Sequence, residues 1–335
     1  MENNQQLLEK LSLKEASLES EVQKACYNDN TEKVLILLNS KAREIDVKQM
    51  DRNGSLIHAI AKENVKIVEE LLKIGCDPNA KTQMKGLALF DAFWNRNIQI
   101  INLLLYYGAN IGDALILAIL RKNADIVKNI LEFGINLNKV EDALGQSALR
   151  IAIEGSNMPI VKLLLEHDAD PNHIDKIGNY PLHCTVNSEI VKELLKYGAD
   201  VDSENRFQRT PLRCALNCKQ FETAKIFLEH GANINHCTND GWTALHEASS
   251  TGKLKTIEFL LTHGANPNLK DMDSITGFHH AVIGGNFLIV RLYLEYATNL
   301  DLCIKDDDGN TIFEDALNGK DVQIMKMMAF HQNTI

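Results

Sequence analysis

Lys196-Tyr-Gly198-Ala-Asp-Val-Asp202, Glu229-His-Gly231-Ala-Asn-Ile-Asn235 and Thr262-His-Gly264-Ala-Asn-Pro-Asn268 are one phrase written three times, with glycines 33 residues apart. Earlier copies read Lys73-Ile-Gly75-Cys-Asp-Pro-Asn79, Tyr106-Tyr-Gly108-Ala-Asn-Ile111 and Glu132-Phe-Gly134-Ile-Asn-Leu-Asn138. In two further copies another residue takes the glycine place, Asp168 in one and Ala297 in the other. A fixed period of this length marks a chain built by stacking one small structural unit.

Each copy ends an apolar run with helical spacing, such as Ile67-Val68-x-x-Leu71-Leu72 and Ile190-Val191-x-x-Leu194-Leu195. Apolar residues at i, i+3 and i+4 give a helix one buried face. The glycine that follows reaches positive φ at little cost and stops the helix, and Asp tolerates that conformation better than most. A second shared block precedes each glycine: Tyr180-Pro-Leu-His183-Cys-Thr185, Thr210-Pro-Leu-Arg213-Cys-Ala215 and Thr243-Ala-Leu-His246-Glu-Ala248. Proline suits the first turn of a helix, and threonine before it caps that helix. Each unit therefore reads as loop, first helix, tight turn, second helix and stop.

The Thr-Pro-Leu-His-x-Ala block, the paired helices and the Gly-Ala-Asp/Asn-x-Asn ending resemble the ankyrin repeat over roughly residues 20–330. The resemblance implies an all-α solenoid of helix-turn-helix units with short β-hairpin loops. On that reading residues 1–45 form an amino-terminal helical cap, residues 46–308 about eight repeats and residues 309–335 a capping repeat. No linker divides the chain. Leu149, Leu182, Leu212 and Leu245 fall at equivalent places and should form a buried ladder. Truncating Leu245 to alanine should cost about 2–5 kcal/mol. The resemblance makes His183 and His246 structural bridges to neighbouring backbone. It also likens Asn235 and Asn268 to asparagines that hydroxylases modify, beside a simpler role in turn hydrogen bonds.

Departures from the period predict local irregularity. Only 26 residues separate Gly108 from Gly134, so the hairpin between those units should be missing. Val186-Asn187-Ser188 should shorten the turn inside its repeat. Gln208 and Ser274 stand where a glycine usually opens the block.

The chain carries 35 Lys and Arg against 45 Asp and Glu, a net charge of −10. Proteins that hold nucleic acid through phosphates need a basic surface, so nucleic acid is not the expected main partner. No apolar run reaches the length of a membrane span, and the polar start does not read as a signal peptide. Seven scattered cysteines, an odd number, fit reduced thiols in the cytoplasm.

No catalytic residue, metal or cofactor is assigned. Cys184, Cys214, Cys218, His183, His236 and Cys237 fall in adjacent units. They lack a zinc-type pair spacing, and two of the cysteines occupy apolar packing places. Asp306-Asp307-Asp308 lacks the glutamate that an EF-hand loop requires. Nucleotide-binding and nucleophile-elbow motifs are missing. What remains is recognition of a protein partner by a monomer, an adaptor or scaffold without enzymatic activity. The resemblance places binding on a concave surface of hairpin tips and first-helix ends. The partner-binding residues expected there are Lys176, Asn179, Arg206, Phe207, Arg209, Asp240 and Trp242. Arg206, Phe207, Arg209 and Trp242 form its centre, with Trp242 packing on the next hairpin as the scaffold alternative. Asn217, Cys218, Ser249, Ser250 and Gly284 add the helix ends. Two variants of the function use the same binding physics. One is a microbial effector inside a host cell, and the other a regulatory subunit of an enzyme or channel.

Overall fold

The structure, a computed structural model, describes residues 18–41, 54–79, 87–319 and 321–332. Parts of the expected amino-terminal cap (1–17 and 42–45), of the repeats (46–53 and 80–86) and of the capping repeat (320 and 333–335) lie outside the described residues. Contacts divide the chain into two compact units. One comprises Met1–Ala143 with Pro159–Ala169, the other Leu144–Met158 with Asp170–Ile335.

In the first unit, residues 18–27 and Thr31–Lys41 are helical and precede three helix pairs. These are Ser55–Ala61 with Val65–Lys73, Ala88–Trp94 with Ile98–Tyr106, and Ile111–Leu120 with Ala124–Leu131. Within each pair the helices pack together. Across pairs, first helices pack on first and, in the earlier two pairs, second on second. The turn inside each pair places Glu63, Arg96 or Lys122 at positive φ. An asparagine then opens each second helix: Asn64, Asn97 and Asn123 accept from the backbone N–H three residues on. Such a cap satisfies a donor the helix itself leaves free. Asn110 caps the helix from Ile111 directly, accepting from Gly112 N–H at 2.9 Å, so no hairpin fits after Gly108.

The second unit begins with Ala148–Glu154 and a 3₁₀ turn at Pro181–Cys184 followed by Ser188–Lys196. Four pairs follow: Pro211–Asn217 with Phe221–Glu229, Ala244–Ser250 with Leu254–Thr262, Gly277–Ile283 with Phe287–Tyr296, and Ile312–Asn318 with Val322–Gln332. Ser147, Thr210, Thr243, Thr276 and Thr311 cap the first helices. Leu149, Leu182, Leu212 and Leu245 are all buried, a ladder contributed by helices too short to be stable alone.

One expectation is corrected, that for the turn near Val186. The shortening near Val186 falls on the helix before it, which is reduced to one 3₁₀ turn, because Asn187 must already cap the next helix. The β-hairpins of this unit are loops closed by single bridges, 237 to 243, 270 to 276 and 305 to 311. Ala297 does not take the left-handed conformation of the glycines it replaces. Asn299 takes it instead, two residues later, while Asp168, Gln208 and Ser274 adopt positive φ at their own places.

The loop asparagines tie neighbouring repeats together. Asn172 donates to the Gly198 carbonyl and accepts from Asp200 N–H. Asn268 does the same to Asn299 and Asp301, and Asn235 accepts from Asn266 N–H.

Candidate protein-binding surface

Three loop tips of the second unit share one construction. Asp175 Oδ1 accepts from the N–H groups of Ile177 and Asn179, both at 2.9 Å. Asn205 Oδ1 does the same for Phe207 and Arg209, and Asp271 Oδ1 for Asp273 and Ile275. A carboxylate or amide that closes its own turn holds the loop in one shape. At five tips two side chains are left pointing outward. They are Lys176 and Ile177, Arg206 and Phe207, Asn239 and Asp240, Met272 and Asp273, and Asp307 and Asp308, all exposed.

The tips also rest on one another. Arg206 N–H donates to the Gly178 carbonyl at 3.3 Å, and Met272 N–H to the Asp240 carbonyl at 3.1 Å. A β-carbon on Gly241 would lie 2.7 Å from Asp271 Cα, so only glycine, here at φ +77°, allows this approach.

Phe207, Arg209, Asp240 and Trp242 line one shallow cleft of about 460 Å³, together with Gln208, Arg213 and Thr238. Phe207 is 58% exposed, and the Arg206 guanidinium lies 4.8 Å above its ring. Trp242 is half-buried, its ring 5.1 Å from that of His280 in the next repeat. It therefore packs sideways as well as lining the cleft. Lys176 and Asn179 sit one tip earlier, and Asn179 is half-buried, accepting from the Asn205 amide at 3.3 Å. Of the expected helix-end residues, Ser249 is buried and hydrogen-bonded to the Tyr293 hydroxyl at 2.8 Å. It is part of the core, not of the surface.

Arg213, which lines the cleft, makes an ion pair that the sequence reading overlooked. Arg213 Nε donates to Glu247 at 2.7 Å, and the two side chains are 7% and 14% exposed. Asn217 and Arg209 also reach Glu247, at 3.0 and 3.5 Å. Burial pushes the Glu247 carboxyl up, but the Arg213 hydrogen bond and charge, with Arg209 and Asn217, hold it below the ordinary carboxylate value. The signal was present: Arg213 stands where the block has histidine, and Glu247 follows the histidine of the next block.

The histidines bridge as the resemblance implied. His183 Nε2 and His246 Nε2 meet the Arg209 and Ile275 carbonyl oxygens at 2.8 and 3.1 Å. Arg213 Nη1 donates to the Trp242 carbonyl, the equivalent acceptor, at 3.1 Å. Burial lowers the basicity of His183 and His246. Cys184 and Cys214 are partly buried thiols whose pKa burial raises to about 11, which makes them poor nucleophiles and poor ligands. Among the described residues, no group of three His, Cys, Asp or Glu is placed to hold a metal ion.

Residues 22–114, 89–175, 115–205 and 182–271 each match the family of ankyrin repeats in three copies. The chain belongs to the ankyrin repeat family. Among ankyrin repeat proteins of fowlpox virus (strain NVSL), it is 32% identical to FPV244 over 136 residues, 38% of this chain and 20% of the relative. It is 29% identical to FPV232 over 217 residues, 50% of this chain and 43% of the relative. The chain thus spans less than half the length of these relatives. The crystal structure of the ankyrin repeat domain of Bcl-3 superposes with a TM-score of 0.60 at 24% identity, over 66% of this chain and 99% of that one. The ankyrin repeat is an interaction architecture, and its partners are proteins. Among the described residues, no helix is long and apolar enough to cross a membrane.

Proposed function

We propose that this ankyrin repeat chain is a non-enzymatic adaptor that grips a partner protein with the loop tips of its second unit. The supporting observation is Phe207, a large apolar ring held out on a rigid tip beside a cleft shared by Arg209, Asp240 and Trp242. Aromatic and arginine side chains around a small pocket are the residue types that carry most interface energy. Arg206 stiffens the ring from above, so little ordering entropy remains to be lost on binding.

The chain acts as a monomer in the cytoplasm on this reading. Seven free cysteines favour a reducing compartment. Service as a microbial effector or as a regulatory subunit would use the same tips.

The test is affinity capture from cytoplasm of the source cell with the intact chain and the Phe207→Ala/Trp242→Ala variant. A protein retained by the first and lost by the second, with melting temperatures alike, supports the proposal. Equal capture by both overturns it. If the double variant melts early because Trp242 also packs on His280, Phe207→Ala alone decides.

A further inference from the structure

The outward side chains of the tips change along the second unit in one direction. The first three tips present Leu144, Ile177 and Phe207, which are 56%, 43% and 58% exposed. Lys176 and Arg206 stand beside the latter two, and Arg209 is also exposed. From the fourth tip onward the same places hold Asp240, Asp273 and Asp308. An apolar and cationic row thus runs into an acidic one, in a chain whose net charge is −10.

The row is continuous. A β-carbon on Gly145 would lie 2.6 Å from Lys176 Cγ, and one on Gly178 2.9 Å from Arg206 Cβ, so each cation lies across the tip before it. Packed helix layers are about 8–10 Å apart, which sets the distance between successive tips. A polyproline II segment rises about 3.1 Å per residue with three residues per turn, so one face returns every 9–10 Å. Those two lengths coincide. A regular β-strand, whose side chains alternate at every residue, does not keep one face in step with this row.

We propose that the row binds an extended, polyproline II-like peptide segment with an apolar side chain at every third position and Asp or Glu between them. Leu144, Ile177 and Phe207 take the apolar side chains. Lys176, Arg206 and Arg209 take the carboxylates. Asp240 repels an acidic continuation and so fixes which end of the segment lies there. This rests on the tips being the partner-binding surface and adds the chemistry of what they bind.

The experiment is selection of random twelve-residue peptides displayed on phage against the intact chain, followed by anisotropy titration of the selected peptides. The selected pool should be acidic, with apolar residues at i, i+3 and i+6. Lys176→Glu/Arg206→Glu should weaken binding about tenfold or more, as removal of interface anchors does. Asp240→Lys should strengthen it severalfold, added salt should weaken it, and Trp94→Ala in the first unit should leave it unchanged. Basic or unpatterned peptides, or equal affinity for the charge-reversed variant, overturn the inference. If such peptides still lose binding with Phe207→Ala, the tips remain the binding surface and only their chemistry is misassigned. Peptides indifferent to both variants, or no selected peptide at all, contradict both. Self-association of the chain abolished by Lys176→Glu/Arg206→Glu would show that the row meets a second copy, and would also overturn it.

Discussion

Arg213 donates to the Glu247 carboxylate at 2.7 Å and, through another nitrogen, to the Trp242 carbonyl at 3.1 Å. One side chain therefore supplies both the backbone bridge that His183 and His246 make elsewhere and an ion pair to the next repeat. Arginine has the donors to do both at once, and histidine does not.

Glu247→Gln should lower stability at pH 7 by about 2 kcal/mol, because Arg213 then keeps its burial without a full counter-charge. The sign with pH follows from the Glu247 pKa, which is held below its ordinary 4.5. The unfolded chain takes up this proton first on acidification. The contribution is therefore complete above about pH 4.5 and fades as pH falls through the lower, folded value. Urea unfolding of the two chains at pH 7 and pH 3 should show the gap closing.

His246→Ala should destabilise the repeat by about 1–3 kcal/mol, since the histidine bonds Thr243 on one side and the Ile275 carbonyl on the other. Burial lowers the pKa values of His183, His246 and His279 from 6.5. The unfolded chain thus binds protons first as pH drops below about 6.5, and stability should fall there. Thermal melts at pH 7.5 and 5.5 measure it, and His246→Ala should show a smaller drop.

Asp315 has the opposite sign. Burial, with Asp306, Glu314 and Asp308 nearby, raises its pKa from 3.8 to about 6. The folded chain holds this proton more tightly, so stability should decline as pH rises from about 4 to 6. Asp315→Asn should raise the melting temperature at pH 7 and change little at pH 3.5.

Gly277 occupies a place where the preceding repeats of this unit have proline or alanine, and here an added β-carbon would run into the Tyr293 hydroxyl. Tyr293 is fully buried and bonded to Ser249. Gly277→Ala should cost about 1–3 kcal/mol through overpacking. In the Tyr293→Phe background the hydroxyl is gone and the cost should shrink. A double-mutant cycle by chemical denaturation reads that coupling.

The repeat was legible because backbone geometry demands it. A helix stop at positive φ needs glycine, or a residue such as Asp168 that tolerates it, and a first helix needs a threonine or serine cap. Asn64, Asn97 and Asn123 were equally plain signals of the second helices and were passed over. The stop displaced from Ala297 to Asn299 was not legible, because either residue could end the helix until the loop path was known. On the surface, Phe207, Arg209, Asp240 and Trp242 were recognised as loop-tip residues and do meet in one cleft. Their depth was not visible. Trp242 is half-covered by His280 of the next repeat, and Ser249 is swallowed by Tyr293, a partner 44 residues away. Leu144 went unnoticed because its repeat departs from the period, and its exposure depends on how that loop stacks.

Hydrogen–deuterium exchange of the chain with and without a selected acidic peptide tests the central claim most directly. Slowed exchange confined to the tips at 142–146, 174–180 and 204–210 is the predicted result. Protection that bypasses those loops and falls elsewhere, for example around Trp94, would contradict it.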